Sequence, residues 1–235
     1  MIALFSADAD LAQTIPEAIR AASLPPTTPY GMDRIDDKDW VRLTQSQFAP
    51  VQVTPRLWVV PTWHEVVDAN AINIRLDPGL AFGTGTHPTT RLCLRWLDAQ
   101  VKPGATVIDY GCGSGILAIA AMKLGAARAQ GVDIDEQALL AARNNAVQNQ
   151  VDVSFFAAAD ELKSTATVVV ANILANPLTV LAPLLTTLTA PGGMIALSGI
   201  LAPQADDVRD AYGTWFDMHT SEPEDEWVLL AGSKR

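Results

Sequence analysis

Cysteine is nearly absent from this chain: Cys93 and Cys112 are the only two in 235 residues. That is too few for a disulfide framework, and together with His64, His87 and His219 they show no metal-ligand spacing. A reducing compartment is expected. Basic residues are also scarce, 16 against 26 acidic ones, giving a formal charge of -10 and a pI near 4.6. This argues against direct nucleic-acid binding, because affinity for a phosphate backbone comes from clustered Lys and Arg; a cationic partner suits the charge better. The opening MIALFSADAD has no basic residue ahead of its short apolar run, so it is not a signal peptide and a cytoplasmic location is expected. Charge itself is missing from Ser164 to Ala205, but Pro177, Pro183, Pro191 and the Gly192-Gly193 pair interrupt that stretch. No apolar run of about 18 residues survives, so no membrane span is expected. The stretch reads as a buried strand, a sheet-packed helix and a second buried strand.

What is present is a chain that is 49% hydrophobic and 18% charged, enough for a well-filled α/β core with a small companion unit. From Val107 onward short β-branched runs alternate with helical stretches, the pattern of a parallel sheet covered on both faces. TVIDYG, ARAQGVDID, VDVSFFAA, TVVVANIL and GGMIALSGIL read as five strands. SGILAIAAMKL, EQALLAARNNAVQN, PLTVLAPLLTTL and PQADDVRDAY read as the helices between and after them. TWFDMHT and EWVLLAG, joined by the acidic SEPED turn, read as an antiparallel pair at the sheet edge, for seven strands in all. Upstream, a short strand (IALF), a helix over 11 to 22, a proline-rich segment and a mixed-charge run form a separate unit. The expected division is 1–55 for that unit, 56–70 for a linker and 71–235 for the main domain.

Two glycine-rich turns stand out. LDPGLAFGTGTHPTT, residues 76 to 90, holds three glycines, one histidine and four threonines; it is not a Walker loop, since no Lys follows its glycines. DYGCGSG falls where the first main strand becomes a helix, so unpaired N–H groups face the crevice and absent side chains let a ligand touch the backbone. Gly113, Gly115 and Ala118 satisfy the permissive dinucleotide form G-x-G-x-x-G/A. Asp109, Gly111, Gly113 and Gly115 instead match the adenosylmethionine turn D-x-G-x-G-x-G in full. Only 120 residues follow Gly115 (235 minus 115), and neither the second mononucleotide half nor the substrate domain of a dehydrogenase is apparent in them. Asp133 ends the second strand, where an acid can accept both ribose hydroxyls, or else serve as a cap like Asp135. Asn172 ends the fourth strand at the same edge. It can accept an amine N–H through its carbonyl while donating elsewhere, or simply cap the next helix.

LDPGLAFGTGTHPTTRLCLRWLD, VIDYGCGSGILAIAAMKLGAARAQGVDID, VVVANILANPL and GGMIALSGIL resemble, in order, the blocks of the PrmA-type methyltransferases, which modify the eleventh protein of the large ribosomal subunit. The likeness runs from about Ile35 to the C-terminus. It implies a class I fold, Rossmann-like, with a seven-stranded sheet whose last strand is antiparallel. It also implies S-adenosyl-L-methionine as cofactor, S-adenosylhomocysteine as product, no metal, and a basic ribosomal protein as substrate. AFGTGTHPTT would cover the cofactor, with Phe82 and Thr90 touching it. Gly111, Gly113, Asp109, Asp133 and Asn172 would be the other contacts, and Asn172 would also orient the reacting amine. His87 is a candidate general base, although Pro88 after it suits a loop-packing role equally.

The chain departs from the family ahead of Arg56. IALFSADADLAQTIPEAIRAA resembles only the second half of the family's ferredoxin-like recognition domain, and Leu43-Thr44 stand where a Trp is usual. The expected N-terminal unit is therefore a shortened one, either natural or with a start lying upstream. This bears on substrate docking rather than on the cofactor.

Overall fold

The computed structural model describes residues 10–32, 48–77, 85–221 and 223–235. The expected strand IALF, the segment 33–47 and the loop residue Phe82 lie outside them. The chain divides into two compact units, Met1–Gln47 and Phe48–Arg235. In the first, α1 (Leu11–Ala21) starts where the Asp10 carboxylate accepts from the Ala12 N–H, and it buries Ile15.

The second unit begins with a small sheet that the sequence reading did not foresee. β1 (Val51–Thr54) and β2 (Leu57–Val60) form an antiparallel hairpin across Pro55-Arg56, and β3 (Ile72–Arg75) then lies parallel to β2. Of the stretch 56–70 expected as a linker, residues 57–60 are β2 and the rest after it is the crossover to β3. Four-residue strands carry too few alternations to stand out in a sequence. What fixes them is burial of Val53, Leu57, Val59, Ile74 and Leu76 into the same core as the helices described next.

A helix, α2 (Pro88–Gln100), follows directly. Its first residues belong to the helix rather than to the glycine-rich loop, and the sequence carries the signal: His87 caps the helix through Nδ1 and Pro88 takes the N1 position, where its missing N–H costs nothing. The alternating half then runs β4 (Thr106–Tyr110), α3 (Ile116–Lys123), β5 (Arg128–Val132), α4 (Glu136–Gln148), β6 (Val153–Phe156), β7 (Ala166–Asn172), α5 (Ala175–Leu188), β8 (Thr189–Leu201), α6 (Ala205–Tyr212), β9 (Phe216–Thr220) and β10 (Trp227–Lys234).

The main sheet has the order β6-β5-β4-β7-β8-β10-β9. Five strands are parallel, and β10 runs antiparallel to both β8 and β9. The expected antiparallel pair is therefore present, with the last strand in sequence inserted one place in from the edge. Alternation along the central strands splits two cores: Val107, Val168, Val170 and Ala196 face α2 and α3, whereas Ile108, Val169, Ala171, Ile195 and Leu197 face α5 and α6. Each Val, Ile or Leu side chain so withdrawn from water contributes roughly 1.5–3 kcal/mol. Apolar residues on both faces are why these strands read as near-continuous Val/Ala/Ile runs.

The order of the sheet reverses at β4. The chain goes out through β5 and β6 on one side and β7 and β8 on the other, so the carboxyl ends of β4, β5 and β7 open onto a crevice where the helices diverge.

Candidate functional site

Six of the seven expected contact residues converge on that crevice. The turn after β4 leaves the strand with Gly111 at φ +71°, Gly113 at +52° and Gly115 at +76°, a left-handed region that favours glycine. The turn is anchored by its own backbone: Gly111 and Cys112 N–H both donate to the Val132 carbonyl, and Gly115 N–H donates to that of Cys112. Asp133, one residue past β5, braces it from the side, accepting from Gly113 N–H at 2.8 Å and from Asp135 N–H at 3.0 Å. Each carboxylate oxygen still has a lone pair to offer a hydroxyl. Asp135 caps α4 through Gln137 N–H, as the sequence anticipated.

Asp109 sits beneath the turn, 1% exposed. One carboxylate oxygen accepts from Ala118 N–H at 3.1 Å in the first turn of α3. The other oxygen is buried with no partner among the described residues. Burial pushes this carboxyl up to about 7, against the pull of the Ala118 hydrogen bond and with a further push from Asp133. A buried acid with one free oxygen beside a glycine cradle is a candidate site residue.

Asn172, the last residue of β7, donates through Nδ2 to Thr90 Oγ1 at 3.4 Å. Thr90 is fully buried in the first turn of α2. The pair thus joins two elements 82 residues apart. Asn172 owes its place to its neighbour. Ile173 passes between two glycines: a Cβ on Gly111 would stand 2.4 Å from Ile173 Cγ2, and one on Gly199 only 2.3 Å from the Ile173 carbonyl oxygen. Gly199 is in turn a β-bulge, since Ser198 and Gly199 on β8 together oppose Leu229 on β10. The wedge could not be foreseen from sequence, because Gly199 looked like an ordinary strand residue.

His87 lies at the rim, but in a structural setting. Its Nδ1 is 2.8 Å from Thr89 Oγ1 and accepts from Thr89 N–H, and its ring meets Trp227 edge-on with centroids 5.2 Å apart. The acidic turn between β9 and β10 is more than a hairpin connection, because it reaches the start of α2. Glu224 accepts from Arg91 at 2.6 Å and pairs with Arg95, both on α2. Cys93 and Cys112 are buried thiols that burial pushes well up, with Asp109 nearby adding to the shift. Among the described residues no group of acids, His and Cys could hold a metal, and no helix is long and apolar enough to cross a membrane.

A seven-stranded sheet with one inserted antiparallel strand, a glycine turn after its first strand and an acid after its second together define a class I adenosylmethionine-dependent methyltransferase. The comparisons narrow the class. A family model described as ribosomal protein L11 methyltransferase (PrmA) matches residues 1–235, and the chain belongs to that family. A ribosomal protein L11 methyltransferase of Thiobacillus denitrificans is 54% identical over 234 residues, covering 100% of this chain and 79% of that protein. One of Neisseria meningitidis serogroup B is 54% identical over 235 residues, with the same coverage. A solved ribosomal protein L11 methylase from Lactobacillus delbrueckii subsp. bulgaricus superposes with a TM-score of 0.73 at 35% identity, covering 80% of this chain and 100% of that one.

Proposed function

We propose that this enzyme transfers methyl groups from S-adenosylmethionine to α-amino and lysine ε-amino groups of ribosomal protein L11 in the cytoplasm. The observation that carries the proposal is the meeting of Thr90, the 111–115 turn, Asp133 and Asn172 at one sheet edge, in a chain whose family is described as ribosomal protein L11 methyltransferase.

The residues suit the cofactor. The turn offers backbone with no side chains in the way, Asp133 has lone pairs for a ribose diol, and the unpartnered oxygen of Asp109 suits an ammonium group. When bound, adenosylmethionine supplies an electrophilic methyl on a cationic sulfur, and no metal is needed. Asp133 then holds hydroxyls, and Gly111 and Gly113 leave the cradle open. Thr90 fixes the amide of Asn172 by accepting from its Nδ2, which leaves the Asn172 carbonyl to accept an N–H of the incoming amine and aim its lone pair.

The chemical demand is a neutral amine. At pH 7 deprotonation costs roughly 4.6 kcal/mol for a lysine but only about 1 to 1.4 for an α-amino group. The α-amine is therefore the easier target, and a lysine must lose solvent before it reacts. His87, engaged in capping α2, is not assigned the role of base. The net charge of -10 favours a basic substrate and direct action on the protein rather than on RNA.

The test is mass spectrometry of isolated L11 after incubation with the enzyme and adenosylmethionine. Mass gains in steps of one methyl support the proposal. An unchanged L11 mass, with cofactor binding intact by calorimetry, would leave a working pocket that either serves another protein or small molecule or binds the cofactor without turnover.

A further inference from the structure

We propose that Glu224, at the tip of the β9–β10 hairpin, is a positioning residue for the Thr90–Asn172 pair and acts through Arg91. The proposal rests on the cofactor reading above.

Asn172 is held by the sheet and by the Ile173 wedge. Thr90 is carried by the first turn of α2, and the two meet at 3.4 Å, near the outer limit of a hydrogen bond. What fixes the start of α2 therefore decides whether they meet. Arg91, next to Thr90, spans that start. Its Nε donates to Glu224 Oε1 at 2.6 Å, its Nη2 lies 2.5 Å from the same oxygen, and its Nη1 donates to the Thr86 carbonyl just before the helix. Arg95, one turn further on, closes on the other oxygen of Glu224. Two guanidinium groups four residues apart on one helix repel each other, and the Arg95 group is held below its ordinary value by burial and by Arg91. The Glu224 carboxylate lets both stay. With side chains 25% exposed for Arg91 and 21% for Glu224, the contact is largely withdrawn from water, so it is worth more than a surface pair.

The tip that carries Glu224 is itself firm. Glu224 and Trp227 exchange backbone hydrogen bonds of 2.9 and 3.1 Å around Asp225, and the Trp227 ring rests against His87, the cap of the same helix. One hairpin tip thus grips both the cap and the first turn of α2.

The experiment measures the adenosylmethionine dissociation constant by calorimetry, with KM, kcat and melting temperature, for wild type, Glu224→Gln, Arg91→Lys, the double variant and Asp98→Asn. Lysine keeps the charge but cannot span two acceptors as the guanidinium does. Asp98 pairs with Arg56 at the opposite end of α2, so its variant reports plain loosening of the helix. Glu224→Gln and Arg91→Lys should each weaken cofactor binding about tenfold, and the double variant no further than the weaker single. Asp98→Asn should lower the melting temperature without moving the dissociation constant. Wild-type affinity in either single variant, additive losses in the double, or an equal loss in Asp98→Asn overturns the proposal. A wild-type protein that binds no adenosylmethionine overturns the cofactor reading and this inference with it.

Discussion

Gly199 offers the sharpest test of how the site is held, because Gly104 supplies a matched control. Both have left-handed backbones, φ +85° and +87°, but a Cβ on Gly104 meets nothing within 4 Å, whereas one on Gly199 meets the Ile173 carbonyl oxygen at 2.3 Å and its carbon at 2.7 Å. Gly104→Ala carries only the backbone strain, roughly 1–2 kcal/mol, partly offset by a stiffer unfolded chain. Its melting temperature should fall by about 2–4 °C with activity intact. Gly199→Ala carries the same strain plus an approach about 1 Å inside van der Waals contact against backbone that cannot rotate away. Overpacking adds roughly 1–3 kcal/mol, for a fall of about 10 °C. More telling is the site: Ile173 must retreat, Asn172 moves with it, and a displacement of about 1 Å in a positioning group costs on the order of a hundredfold in kcat. Differential scanning calorimetry and initial rates measure both effects. A Gly199→Ala enzyme that melts with Gly104→Ala and turns over at the wild-type rate would refute the wedge.

Three further outcomes are expected. Asp133→Ala removes the acceptor of Gly113 and Asp135 N–H; stability should fall by about 1–3 kcal/mol, and calorimetry should show adenosylmethionine affinity down by two orders of magnitude or more, while unchanged affinity would discard its ribose role. His87→Ala should cost about 1 kcal/mol as a lost cap and leave the pH–rate profile in place; loss or displacement of the acid-side limb, where the rate rises with pH, would instead make the imidazole the base. Asp109 is raised in the folded protein from 3.8 to about 7, so the native state holds its proton longer than the unfolded chain does, and this group's contribution falls as pH rises from about 4 to about 7, then stays level. Asp109→Asn should therefore gain stability on wild type across that window, by an amount on the order of 4 kcal/mol at most. Urea titrations at pH 5 and pH 8 read the difference, and a gap that does not change with pH would contradict the buried, unpartnered carboxylate.

Much of this molecule is local in its causes. Strands buried on both faces must be apolar throughout, so β4, β5, β7 and β8 read directly as Val, Ala and Ile runs, and the breaks between them as turns. A glycine turn that needs three left-handed residues leaves its spacing in the chain, and strand ends fall at countable intervals from it, so the placement of the 111–115 turn, Asp133 and Asn172 at the sheet edge was legible for that reason. The sequence by itself therefore determined the seven-stranded sheet and the residues along its carboxyl edge. The tertiary structure alone decided what depends on distant segments meeting. The short strands β1 to β3 gain their burial against distant segments, α2 and α3 among them, so nothing nearby in sequence signals them. Gly199 matters because Ile173 arrives from another strand, and Glu224 because the chain brings it back to Arg91 across 133 residues. Excluded volume and charge pairing act through space, and their partners are chosen only once the sheet has set the order of its strands.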